Sequence, residues 1–258
     1  MATQLHLTEH AFALQLLLER LQRLIDVIIT DENLHRVASS KQGLKTKRFA
    51  ASFKTGSAKV SGPIAQIFGS PNDFCGGNDA NMTILKIARM GHPVLRAPAD
   101  AVADPTTPDL RRLVRAMTTT LEDAGGVGLA APQVHEPVRL FLFFVPPARD
   151  PAGGGRGLMA VFNPVLTPLG DERVLGWEGC LSVPGLRGAV ARHKTVRMTG
   201  LDGEGAPVDE VLSGFAARVA QHEADHLDGV LYPARVEDFR AFGYSEELER
   251  YPYPLTQG

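Results

Sequence analysis

Two histidines four residues apart constrain this 258-residue chain more than any other feature. The segment Gln221-His222-Glu223-Ala224-Asp225-His226-Leu227-Asp228-Gly229 follows an apolar-periodic run. The spacing predicts a helix from about Phe215 to Asp228, ended by Gly229. On it His222 and His226 stack one turn apart, and Val219 and Glu223 share their face. That face must meet the core of a compact fold, which buries two imidazoles and a carboxylate. Left without partners, such groups cost several kcal/mol. A metal ion bound by both imidazoles removes that cost. Glu223, directly after one ligand, is placed to take a proton from water and pass it to a leaving amine. The competing reading is a surface helix with scattered acids. Asp225 and Asp228 read as solvated or supporting groups, not as ligands.

A catalytic metal site takes three protein ligands and keeps one position open. No histidine follows Gly229, and Glu237 and Glu246 remain there as carboxylates. Upstream, Trp177-Glu178-Gly179-Cys180-Leu181-Ser182-Val183-Pro184 offers a thiol. As a ligand Cys180 must be a thiolate, and a dication with two imidazoles favours that form. Taken alone, Cys180 reads more readily as a small core side chain, the commonest fate of a free cysteine. Three readings stand at this point. One is a hydrolase using Cys180. Another is a peptidase with a downstream acid as third ligand. The last is a binding protein that keeps the fold without turnover, although all four chemical residues are present.

The surrounding chain has a mixed pattern. Pro108 to Asp123 reads as a helix, with Thr107 as cap, Leu113, Met117 and Leu121 on one face, and Gly125 and Gly126 ending it. Strand-like runs follow at Val138–Val145, Leu158–Asn163 and Lys194–Leu201, and Asp202-Gly203-Glu204-Gly205 turns the chain into a hairpin partner at Val208–Leu212. Strands first and a chemistry-bearing helix late predict an α+β fold: small antiparallel or mixed sheets packed around a central metal-binding helix. Residues 82–258 are the expected catalytic domain. Residues 1–81 are the expected loosely attached N-terminal extension, with an amphipathic helix over Leu14–Ile28 and a poorly ordered, acid-free stretch from Leu34 to Asn72. This extension reads as native, as an organelle-targeting peptide, or as an over-extended reading frame with Met82 as the true start. Two cysteines, Cys75 and Cys180, give no disulfide framework, and a net charge of −2 gives no pull toward nucleic acid. No apolar run is long enough for a membrane span. Cytoplasm is the expected setting, with an organelle as the alternative.

Three segments in order, Gly126-Val127-Gly128-Leu129-Ala130-Ala131-Pro132-Gln133-Val134, Glu178-Gly179-Cys180-Leu181-Ser182 and Gln221 to Leu227, resemble the three motifs of the peptide deformylase family. Met90 to Arg96 is similar to that family's amino-terminal segment, and the likeness spans about residues 84–245. The resemblance implies removal of the formyl group from formyl-methionine on newly made polypeptides, with transient ribosome association compatible with that role. It implies one divalent metal on Cys180, His222 and His226, with Fe2+ expected in the cell and Zn2+, Ni2+ or Co2+ as alternatives. It implies Glu223 as acid–base, with Gln133 and the Leu181 amide as oxyanion donors. Val127, Gly128 and Val219 are the implied substrate contacts, the last in a pocket for the methionine side chain. Plain core packing of Val219 is compatible with that role. It further suggests that Glu178 pairs with Arg187 beside Cys180, the alternative being two separate surface charges.

Overall fold

The computed structural model describes residues 83–150 and 154–255. The expected Leu14–Ile28 helix and the acid-free stretch after it lie outside these. Among the described residues the first α-helix, α1 (Pro108–Ala124), begins where Thr107 Oγ1 accepts the Leu110 amide and stops at Gly125, whose φ of 67° is left-handed. It starts at the predicted residue and runs one residue past the predicted Asp123 to the predicted glycine stop. Met117, Thr120 and Leu121 form its buried stripe.

Five strands make one antiparallel sheet in the order β1-β2-β3-β6-β7: β1 (Gly128–Ala130), β2 (Leu140–Val145), β3 (Arg156–Pro168), β6 (Thr195–Leu201) and β7 (Pro207–Ser213). All six residues of β2 are buried, so the apolar run LFLFFV is the centre of the core. The predicted start at Val138 moves to Leu140, because Val138 makes only an isolated bridge to Asp100. β3 is longer than predicted. It continues past a bulge between Phe162 and Val165, where Asn163 adopts φ 48°. The Asn163 carboxamide exchanges two 2.8 Å hydrogen bonds with the Val102 backbone there. The β6–β7 hairpin has the predicted turn, with Asp202 Oδ1 accepting the Glu204 and Ala206 amides.

A second sheet, in the order β4-β5-β8, comprises β4 (Arg173–Cys180), β5 (Val183–His193) and β8 (Phe242–Tyr244). It is also antiparallel. Between the two sheets lies α2 (Gly214–Leu227), the predicted histidine helix, packed on β1 and β2 and touching β5. Gly229 ends it at φ 73°, and a Cβ at this position would meet the Arg96 backbone at 2.7 Å, so only glycine fits. A short helix α3 (Ser245–Arg250) closes the fold, which is the expected α+β arrangement. The extended segment before the single helical turn at Pro93–Leu95 ties these parts together. The Leu85 amide donates to Thr120 Oγ1, Ala88 N to Gln133 O, and Met90 N to Ser182 O.

Candidate metal centre and active site

Cys180 ends β4, and His222 and His226 lie one turn apart on α2. The fold brings a sulfur and two ring nitrogens within 4.8 Å of one another, all three residues buried. Cys180 Sγ and His226 Nε2 are 3.3 Å apart. Ligand bonds of about 2.0–2.3 Å give donor separations of this order around one tetrahedral ion. The rival third ligands are elsewhere: Glu237 is exposed near Arg173, and Glu246 sits in the first turn of α3.

The electrostatics make the same case. Burial pushes the Cys180 thiol up to about 12, partly offset by the Ser182 amide that donates to Sγ, and reinforced by the Glu223 charge. A thiol so placed ionises only against a cation. Burial above all holds His226 well below the ordinary histidine value, so its imidazole is neutral and able to ligate. His222 Nδ1 lies 2.9 Å from Glu178 Oε2, and a proton held on Nδ1 by that contact makes Nε2 the ligating nitrogen. That Nε2 is buried and has no hydrogen-bond partner among the described residues. An orphaned imidazole nitrogen, a neutral second imidazole and a thiol in contact with it fit a soft-to-borderline divalent ion.

Glu223 is fully buried, and neither carboxylate oxygen has a hydrogen-bond partner among the described residues. Burial first, then the negative Glu178, raises its pKa well above the ordinary value, against the pull of Arg192. A buried carboxyl biased toward its protonated form beside the donor cluster is a candidate for acid–base work. The space it fills is supplied by Gly128. A Cβ there would sit 2.7 Å from Glu223 Cδ and nearer still to Oε1. Gly128 therefore makes room for Glu223 itself, which the sequence pattern did not reveal. Gly128→Ala is expected to displace the carboxylate and lower kcat by about 10²-fold, as a misplacement of about 1 Å does. Metal content measured on the same preparation should stay unchanged.

Gln133 follows β1 in a short turn and is 2% exposed. Its Oε1 accepts the Ala130 amide at 2.8 Å, which aims Nε2 at Ser182 Oγ (3.2 Å) and Cys180 Sγ (3.5 Å). Leu181 occupies the tight connection from β4 to β5. Its side chain lies against Gly126, where a Cβ would come within 3.1 Å of Leu181 Cδ1. Val127 and Val219 are buried core residues, Val219 completely.

Behind the ligands lies a charged cluster that sequence reasoning missed in its details. Glu178 is fully buried and takes two bonds from Arg192 (2.9 and 3.0 Å), one from Arg218 (3.0 Å) and one from His222. Burial opposes its charge, but Arg192 and the hydrogen bonds prevail and hold its carboxyl far below the usual range. The expected Glu178–Arg187 pairing is overturned. In the β4–β5 register Glu178 faces Gly188 and Trp177 faces Ala189. Side chains alternate, so Arg192 shares the Glu178 face and Arg187 the Trp177 face. Arg187 lies over the Trp177 ring, 5.3 Å from its centroid, and 3.8 Å from Glu249. Asp225 is buried between Arg192 (2.6 Å) and Arg235 (2.8 Å), in a supporting place, whereas Asp228 pairs with Arg139 in the more exposed rim.

The polypeptide deformylase family model matches residues 84–241, more than half the chain and every residue of this site. The chain belongs to the polypeptide deformylase family. Peptide deformylase 1 of Nitrosomonas europaea is 43% identical over 166 residues, covering 64% of this chain and 94% of that protein. Peptide deformylase 1 of Bordetella pertussis is 47% identical over the same length and shares. Among solved structures, the class I type b peptide deformylase of Acinetobacter baumannii bound to Met-Ala-Ser superposes with a TM-score of 0.56 at 34% identity, covering 60% of this chain and all of that one. The Thermotoga maritima peptide deformylase gives 0.54 at 36%, with 60% and 99% covered. Membership makes the protein a metal-dependent amidohydrolase. No helix among the described residues is long and apolar enough to cross a membrane.

Proposed function

We propose that this protein hydrolyses the N-terminal formamide of newly made formyl-methionyl polypeptides, releasing formate and a free amine. The reading rests on the convergence of Cys180 Sγ with the His222 and His226 nitrogens beside a buried, unpartnered Glu223. A divalent ion on those three residues supplies Lewis acidity, lowering the pKa of water and polarising the formyl oxygen. Glu223 takes the proton as water attacks the formyl carbon, then delivers it to the departing nitrogen as the C–N bond breaks. Gln133 Nε2, held by the Ala130 bond, and the Leu181 amide donate to the oxyanion. The β1 strand is at the sheet edge, which suits a peptide added as an extra strand along Val127 and Gly128. Val219, on the histidine face of α2, contributes apolar wall for the methionine side chain. Fe2+ is the proposed cellular metal. Zn2+, Ni2+ and Co2+ suit the same donors. A substrate made at the ribosome gives this reading a transient ribosomal encounter and a cytoplasmic setting. Residues 82–258 are the proposed catalytic unit.

The test is formate release from formyl-Met-Ala-Ser by anaerobically prepared, Fe2+-loaded full-length protein and by the Met82–Gly258 fragment. Both should be active, and Cys180→Ala should lose metal and activity together. A loaded but inactive full-length protein ends the reading. A silent fragment ends only the domain assignment. Chelation should lower the melting temperature reversibly. At ion concentrations about a thousand times Kd the bound form gains about 4 kcal/mol.

A further inference from the structure

We propose that Arg218 is a positioning residue for the metal centre, a clamp that fixes the imidazole of His222 and the strand carrying Cys180 relative to each other. Arg218 lies one helical turn before His222 on α2, with its side chain turned into the β4–β5 sheet, and is 7% exposed. Its Nη1 donates to Glu178 Oε1 at 3.0 Å, to Val190 O at 2.7 Å and to Gly176 O at 3.4 Å, and Nη2 donates to Val174 O. One guanidinium thus joins both strands of the hairpin to the ligand helix.

The sequence makes space for this. A Cβ at Gly176 would lie 2.9 Å from Arg218 Nη2, so glycine at this strand position admits the guanidinium between the backbones. Glu178 carries the effect onward. Arg218 and Arg192 share Glu178 Oε1, while Oε2 takes a second bond from Arg192 and lies 2.9 Å from His222 Nδ1. Two residues further along β4 is Cys180, so any shift of Gly176 or Glu178 relative to α2 changes the sulfur–imidazole geometry. Groups that orient metal ligands in this way tune affinity by about 10–100-fold. Lysine cannot substitute. An ammonium has no planar fork with which to satisfy a carboxylate and carbonyls of two strands together.

The proposal rests on Cys180, His222 and His226 holding a divalent ion. The experiment is Co2+ binding to the full-length protein, Arg218→Met and Arg218→Lys, followed by the thiolate-to-cobalt absorption and by competition with a coloured chelator. Melting of the metal-free forms is recorded alongside. Parent protein should bind one Co2+ with a thiolate band. Arg218→Met should weaken binding about 10–100-fold and shift the band. Arg218→Lys should weaken it severalfold while staying folded, which keeps the test available if the methionine variant fails to fold. Unchanged affinity and spectrum in a folded variant, with only a lower metal-free melting temperature, would make Arg218 merely structural and overturn the proposal. Parent protein that binds no Co2+ would overturn the metal site as well.

Discussion

Replacing Glu223 by Gln should lower kcat by about 10²–10⁴-fold, the range general acid–base catalysis contributes, with metal content unchanged. Glutamine keeps the volume that packs against Gly128 but cannot carry a proton back and forth. The carboxylate is buried and unpartnered among the described residues, so its removal breaks no hydrogen bond of the fold. Burial has raised its pKa, so the substitution also relieves a group held away from its preferred charge state. The variant should therefore melt at or above the parent temperature while its turnover falls. Parallel measurement of metal content, melting and formate release separates these effects. Activity within tenfold of the parent would remove Glu223 from the proposed mechanism.

Glu178→Ala should have the opposite profile, with a large loss of stability and a weakened metal site. The substitution leaves Arg192 and Arg218 buried without their common carboxylate and His222 Nδ1 without its acceptor. Breaking buried pairs of this kind costs about 3–5 kcal/mol, and losing the partner of a ligating histidine costs about 10–100-fold in metal affinity. The pH dependence has a definite sign. Because the folded carboxyl titrates far below its unfolded value of about 4.3, its contribution is complete above that pH and is lost as acid approaches the folded pKa. Glu178→Gln should flatten that acid limb of a stability–pH curve measured by denaturant unfolding. An acid limb unchanged by the substitution would show that Glu178 does not carry it.

The parts of this fold legible in the sequence are those with local causes. Thr107, Pro108 and Gly125 delimit α1 by chemistry that acts within a turn, and the four-residue spacing of His222 and His226 needs only a helix to become a site. The β4–β5 hairpin was not legible, and with it went the charged cluster. Its strands contain Gly176, Gly179, Gly185 and Gly188, bury Glu178 and Arg192, and present nothing resembling an apolar alternation. The choice between Arg187 and Arg192 as the partner of Glu178 depends on pairing register, which is set by the whole sheet and not by sequence distance. The intimacy of Gly128 with Glu223 likewise required two segments almost a hundred residues apart to meet. Arg218 left a faint sign, since it stands four residues before His222, but its partners are backbone carbonyls that no side-chain pattern records.

Cys180 belongs to the three-stranded sheet, while both histidines ride on a helix seated against the five-stranded one. Neither sheet owns a complete set of donors. A nascent chain in which one sheet has formed ahead of the other presents a solitary sulfur or a pair of rings, each a poor trap for an ion. The complete donor set therefore exists only where both sheets have packed against α2.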